Sequence, residues 1–99
     1  MYLAREVMHC KPGHAKDMVA TFKELAKVME KKGLPKLRIL TDVAGERYWT
    51  VIVEQEVKDL DEHAQMARQA MSEPDVQRVM KNYHDYVESG RREFYKIEL

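Results

Sequence analysis

The run from Arg47 to Val57 carries bulky apolar side chains at both even and odd positions: Tyr48 and Ile52 on one parity, Trp49, Val51 and Val53 on the other. Side chains of a β-strand alternate between the two faces of a sheet, so a strand of this kind needs cover on both. Helices of the same chain can supply one cover. The other set of apolar groups faces water unless something else shields it.

A second strand-like run, Leu37–Val43, precedes this one, and the intervening Ala44-Gly45-Glu46 predicts an antiparallel hairpin. Near the N-terminus, Tyr2–Cys10 holds Tyr2, Leu3, Val7 and Met8 and stops at Lys11-Pro12-Gly13, which opposes further pairing; it reads as a first strand. From Ala15 the period changes. Met18, Phe22, Leu25 and Met29, flanked by Val19 and Ala26, mark an amphipathic helix of about five turns. Gly33 followed by Leu34-Pro35 ends it with a left-handed cap. Asp59, three residues before Glu62, opens a second helix along which Leu60, Ala64, Ala67 and Met71 recur. Ser72-Glu73-Pro74-Asp75 interrupts that helix. Val76, Val79, Met80, Tyr83 and Val87 then predict its continuation at a new angle as far as Ser89-Gly90, and Glu93–Leu99 supplies the last strand.

The order β-α-β-β-α(α)-β over 99 residues, with no linker or low-complexity segment, describes one domain, residues 1–99. Its class is α+β: a ferredoxin-like subunit with a four-stranded antiparallel sheet and helices on one face. The bare face, roughly 19 by 17 Å for four short strands, is most simply covered by a second copy. A homodimer is therefore expected, the alternative being a face shielded by aromatic edges and long Lys and Arg stems.

Charge and motifs remove several function classes. Seventeen Lys and Arg balance seventeen Asp and Glu, so no net field attracts nucleic acid or an anionic membrane, and neither is expected as a partner. Cys10 is the only cysteine, no apolar run approaches a membrane span, and Arg5 and Glu6 interrupt the N-terminal apolar stretch where a signal peptide would be uniformly apolar. A cytoplasmic location is the resulting expectation. Glycine-rich phosphate loops, nucleophile elbows and His-Glu zinc motifs are absent from the sequence.

Two local patterns point further. Cys10-Lys11-Pro12-Gly13-His14-Ala15 leads directly into the first helix, and Val53-Glu54 is followed by Asp59-Leu60-Asp61-Glu62-His63 at the start of the second. Together they resemble the dimeric α+β barrel superfamily, in particular its small antibiotic-biosynthesis-monooxygenase-like and NIPSNAP-like domains. The resemblance spans nearly the whole chain in element order, through motifs that are short. It implies a homodimer whose two sheets meet in a barrel, with a pocket between the sheet and the helices of each subunit. Members include cofactor-independent oxygenases of polycyclic phenols and haem-degrading enzymes. The haem-degrading pattern has an Asn on strand one, a Trp just after the strand-three Glu and a His on the later helix. Here strand one lacks Asn, Gln55-Glu56-Val57 follows Glu54, Met80 falls where that His would stand, and His84 comes one turn later. No cofactor is expected.

Candidate site residues follow from chemistry and from this likeness. His63 lies on the flank of the second helix's apolar stripe, where an imidazole can project beneath the helix and accept a proton near neutral pH. It is the candidate catalytic residue, against the plainer reading of an amphipathic boundary residue. Tyr48 and Trp49, on opposite sides of strand three, are candidate walls for a flat ligand or ordinary core. Arg5, Glu6, Arg38 and Glu54 are charges on strands that need cover. Arg5 and Glu6 must face opposite ways, and one of them is expected inside the dimer, paired with Arg38 or Glu54 as an interfacial salt bridge or a ligand anchor. His9, Cys10 and His14 are the densest potential metal ligands, yet strand alternation separates His9 from Cys10 and no metal site is assigned. The seven methionines read as adaptable packing. Two functions remain: a cofactor-independent monooxygenase-like or isomerase-like enzyme acting on a small aromatic or polyketide-like substrate, or a noncatalytic small-ligand-binding or interaction module. A cavity between helices and sheet distinguishes the first from a filled interior.

Overall fold

In the computed structural model, which describes residues 1–99, the chain runs through β1 (Tyr2–Cys10), α1 (Ala15–Lys31), β2 (Arg38–Thr41), β3 (Thr50–Val57), α2 (Leu60–Met71), α3 (Pro74–Val79), α4 (Tyr83–Tyr86) and β4 (Val87–Lys96). The strands pair antiparallel in the order β2-β3-β1-β4, which places β1 and β3 in the middle. This is the ferredoxin-like α+β arrangement, with helices on one face of an open sheet. No helix is long and apolar enough to cross a membrane.

Register assigns every strand side chain to a face. Glu6 stands opposite Val53 and Arg92, and Met8 opposite Val51 and Gly90, on the helix side; Arg5 stands opposite Glu54 and Glu93, and His9 opposite Thr50 and Ser89, on the open side. The core forms where α1 and α3 meet the helix side: Met8, Cys10, Met18, Phe22, Leu25, Val51, Val53 and Val76 are buried together. The spacing of Met18, Phe22 and Leu25 brings all three onto the sheet, as the 3.6-residue period requires.

The end of α1 is set by its cap. Gly33 adopts φ +72°, its N–H donates to the Glu30 carbonyl at 3.0 Å, and the Leu34 N–H donates to the Met29 carbonyl at 3.1 Å. These two bonds are a Schellman motif, which needs a left-handed residue where glycine pays no Cβ penalty. Lys32 then forms ion pairs with Glu73 and with Asp75 (3.1 Å for the latter), tying the end of α1 to the start of α3.

Three boundaries differ from the sequence expectation. First, β2 ends at Thr41 and β3 begins at Thr50, so residues 42–49 form the connection in place of a tight turn at Ala44-Gly45-Glu46. The Thr50 N–H donates to Asp42 Oδ1 at 2.8 Å and its hydroxyl to the Arg47 carbonyl at 2.9 Å, closing the loop with side-chain bonds that periodicity does not reveal. Tyr48 and Trp49 consequently lie in this loop, and their expected places on strand three are corrected. Tyr48 is 85% exposed and Trp49 43%, and Trp49 takes φ +58°, a left-handed conformation costing a bulky residue about 1–3 kcal/mol. Its carbonyl accepts from the Cys10 N–H at 2.8 Å, so pairing to β1 holds the strained residue.

Second, the helical spacing expected up to Val87 breaks into α3 and the single turn α4, and Val87 begins a strand. Third, that strand covers Val87–Lys96 rather than Glu93–Leu99, with Ser89 and Gly90 inside it. Pairing along the whole of β1 outweighs the local helical period. Gly90 lies beside a register shift at His9/Cys10, and a Cβ there would stand 2.8 Å from the Val7 carbonyl oxygen. The glycine allows close backbone approach and does not stop the element.

Candidate functional site

α2 is amphipathic and yet has no fully buried residue. Its inner side chains, His63, Met66, Ala67, Ala70 and Met71, border a cavity of about 440 Å³ rather than a packed core. Met8, Val53, Glu6, Gln55 and Arg92 form the floor on the sheet. Phe22, Leu25 and Met29 of α1, the Leu34-Pro35-Leu37 connection and Val76, Met80 and Tyr83 form the walls. Five of the seven methionines line it: Met8, Met29, Met66, Met71 and Met80. Unbranched thioether side chains adapt their shape to an occupant, so their packing role is that of a deformable wall.

His63 is placed by the start of its helix. Asp59 caps α2 by accepting the Glu62 N–H at 2.9 Å, and the His63 N–H bonds the Asp59 carbonyl at 3.1 Å, so the first turn is well defined. The imidazole meets Phe94 of β4 edge to face, with ring centroids 6.1 Å apart. Burial holds its proton affinity below the ordinary imidazole value, the Arg92 guanidinium lowers it further, and Glu6 partly opposes the fall. Glu6 and Arg92 are themselves an ion pair across β1 and β4. Tyr83, on the far wall, packs edge to face on Phe22 at 6.4 Å, and its phenol is pushed up by burial and by Glu6. The cavity is thus mostly apolar, around Met8 and Phe22, with few polar groups on it: the His63 imidazole, whose burial favours the neutral form, the Glu6–Arg92 ion pair and, across β1 from Phe94, Gln55.

Neutral His63 has a pH signature, shared with His9. His9 is lowered chiefly by burial and then by Arg47 and Arg91; on the open face its Nδ1 lies 3.2 Å from the Thr50 hydroxyl. Both folded values lie below the ordinary 6.5, so the unfolded chain takes up protons more readily as the medium is acidified. Their contribution to stability is complete above that value, declines as pH falls through it, and levels off below the folded values. The melting temperature will fall between about pH 8 and pH 5, the range in which histidines titrate. The slope will be smaller in His63→Gln; an unchanged slope would remove His63 from this account.

The other sequence candidates fall in two further places. On the open face, Arg38, Glu54, Arg5, Glu93 and Arg91 form one row across all four strands. Arg38 Nε donates to Glu54 at 2.7 Å, Arg5 Nε stands 3.1 Å from the other Glu54 oxygen, Arg5 Nη1 is 3.5 Å from Glu93, and Arg91 Nε donates to Glu93 at 2.8 Å. Arg5 and Glu6 do face opposite ways, and Arg5 is the one that joins Glu54. Tyr48 and Trp49 border a separate groove beside Ala15, Val19 and Lys23 of α1, away from His63. Cys10 is buried in the core with its thiol pushed up by burial, His14 pairs with Asp17 at 3.0 Å, and no group of three His, Cys, Asp or Glu side chains converges on a point.

Gln55 and Arg92 are site residues that sequence reasoning missed. Gln55 interrupts the Val51, Val53, Val57 parity that faces the helices, which was a readable signal. Arg92 was not readable, since only the β1–β4 register sets it opposite Glu6.

No family model matches the sequence, and no curated protein matches it. Solved structures do share its shape. An uncharacterized NIPSNAP domain protein from Burkholderia xenovorans superposes with TM-score 0.82 at 15% identity, over 98% of this chain and 94% of its own. A NIPSNAP family protein of unknown function from Agrobacterium tumefaciens gives 0.84 at 15% identity, over 98% and 87%. A protein of the antibiotic biosynthesis monooxygenase type from Chloroflexus aurantiacus gives 0.72 at 15% identity, over 99% and 94%. Spread over essentially the full length of both partners, these superpositions show that the chain has the fold shared by NIPSNAP-domain and antibiotic-biosynthesis-monooxygenase-like proteins.

Proposed function

We propose that the chain is a cofactor-independent, monooxygenase-like or isomerase-like enzyme on a small aromatic or polyketide-like substrate held between α2 and the sheet, working as a homodimer whose open sheet faces meet. The observation that carries the reading is the cavity of about 440 Å³ with His63 on its wall, an imidazole whose burial favours the neutral form. Its size suits a small organic molecule, and its mostly apolar lining with a few polar groups is the usual character of such sites. A neutral His63 accepts a proton from a phenolic hydroxyl or from a carbon beside a carbonyl, leaving the electron-rich anion that oxygenation or isomerisation needs. Glu6 stabilises the imidazolium so formed, while Arg92 favours return of the proton. The monooxygenase-type neighbours support the chemistry only by analogy of fold.

Dimerisation is supported by the open face. Leu3, Val7, Leu40, Ile52 and Tyr95 lie there around the charged row. Within that row the buried Arg5 Nε and the buried Glu93 oxygen meet only ion-pair partners, at 3.1 Å from Glu54 and 3.5 Å from Arg5 respectively. A two-fold copy would bring an equivalent row of alternating sign against it.

The second reading is a noncatalytic ligand-binding module, favoured by one feature: His63 is steadied by Phe94 and not by a carboxylate of the kind that orients many catalytic imidazoles. His63→Gln separates the two. With a panel of hydroxynaphthalenes as substrates, the variant will keep its fold, and oxygen uptake or isomerised product will fall by about 100-fold. Undiminished turnover in the folded variant would leave His63 as a wall residue.

A further inference from the structure

We infer that the groove between the 42–49 loop and α1 is a second binding site, for a small flat aromatic carboxylate whose ring stacks on Trp49 and whose charge is met by Lys16 and Lys23. The site is separate from the cavity under α2 and does not depend on what that cavity binds.

The backbone at Trp49 carries the first argument. The fold asks this position for a left-handed residue whose carbonyl accepts the Cys10 N–H, and glycine or asparagine supplies that at little cost. The chain holds a tryptophan there, at φ +58°, and leaves 43% of it exposed. Strain of this kind clusters at functional sites, where a side chain is held for a task other than folding. Tyr48 beside it is more exposed still, and neither ring belongs to the hydrophobic core. The loop therefore presents two aromatic groups that the interior does not use.

The facing wall sets the shape and the charge. From α1 it takes Ala15, Lys16, Val19, Ala20 and Lys23. Lys16 and Lys23 are seven residues apart, almost two helical turns, so they lie on one side of α1 about 10 Å from each other. Between them come Val19 and Ala20, whose small side chains leave room for a ring in front of the indole. The groove measures about 810 Å³, within the range of small-molecule sites. Neither lysine is in an ion pair, and their long flexible stems can follow a ligand's charge. Asp42, the one acid on the lining, accepts the Thr50 N–H at 2.8 Å. Two unpaired cations beside aromatic faces complement an anion with a flat apolar body.

Trp49 is the only tryptophan, so its indole N–H gives a single NMR signal that reports on this groove. The test titrates the isotopically labelled full chain with sodium 2-naphthoate and with 2-naphthamide, which share a ring system and differ in charge. The indole signal will move with both, and naphthoate will bind about fivefold more tightly, as expected of exposed charge pairs. That preference will shrink in about 1 M sodium chloride. In the double variant Lys16→Gln, Lys23→Gln the two affinities will come together, whereas His63→Gln will leave the titration unchanged. Trp49→Asn will abolish the naphthoate-induced shifts of the Val19 and Ala20 amides. It will melt within about five degrees of wild type, because relief of strain offsets the lost contacts of the indole. Trp49→Gly repeats both measurements should asparagine disturb the loop. The inference is overturned by an indole signal that stays still, by equal affinities in the wild type, or by a preference that survives high salt or the loss of both lysines. A titration lost in His63→Gln overturns it too, since the probe would then occupy the other cavity. So do amide shifts that persist without Trp49, or a larger fall in melting temperature in both Trp49 variants, which would make the indole a part of the fold.

Discussion

A Glu54→Ala chain will sediment as a monomer at micromolar concentrations at which the proposed wild-type dimer holds together, its dissociation constant raised about 10⁴-fold. Glu54 is the hub of the open-face row: only 5% exposed, it receives Arg38 on one oxygen and stands 3.1 Å from Arg5 on the other. In the single subunit the loss is modest on the Arg38 side, because that side chain is 70% exposed and water screens it. Covering the face with a second copy removes the water from both arginines. Arg5 keeps Glu93, but Arg38 then becomes a buried charge without its partner, which costs about 3–5 kcal/mol; the two-fold axis applies this twice, and the lower end of the range, about 6 kcal/mol in all, corresponds to the 10⁴-fold change. Glu54→Gln, which keeps the shape and one acceptor, will weaken the dimer less. Analytical ultracentrifugation decides the matter: an unshifted dissociation constant in Glu54→Ala, or a wild-type chain that is already monomeric and folded, would end the sheet-to-sheet proposal.

Met18→Ala will have the largest effect on the subunit itself, lowering the free energy of unfolding by about 2–5 kcal/mol. Met18 has no solvent exposure and is packed among Met8, Cys10, Val51 and Val76, where α1 and α3 meet the sheet. Truncation removes three heavy atoms from a site closed by two mid-sheet strands, which cannot collapse into the gap. A domain of this size has only about 5–15 kcal/mol in total, so the variant will unfold at a much lower urea concentration. Met66→Ala makes the control. Met66 lines the cavity, where some of its surface already lacks neighbours, and its loss will be smaller. Equal losses at the two positions would mean that the space beneath α2 is filled as tightly as the core.

His63 shows how much of the candidate site could be read in advance. Its place beside an apolar stripe was legible because α2 obeys the helical period, and Asp59 with Glu62 marks where that helix starts. The opposed directions of Arg5 and Glu6 followed from strand alternation alone, as did the separation of His9 from Cys10. Tyr48 and Trp49 illustrate the limit. Their apolar character continues the pattern of β3, but the bonds from Thr50 to Asp42 and Arg47 end the strand first, and bonds of this kind leave no periodic trace. The open face is accordingly less apolar than the sequence suggests, and its principal feature is the charged row.

Period and punctuation in the sequence determined the class of fold, the order of its elements, the cap of α1 and the inner face of each helix. These are local properties, set by residues within a few positions of one another. Tertiary structure alone decided where β4 begins, since Val87–Lys96 follows a helical local pattern for its first residues and becomes a strand only by pairing with β1. It also decided that Glu6 meets Arg92, that Glu54 joins Arg38 to Arg5, and that α2 stands off the sheet over a cavity with Gln55 in its floor. Each of these depends on register between segments distant in the chain, and a hydrogen-bond ladder shifted by one residue would send every one of those side chains to the opposite face.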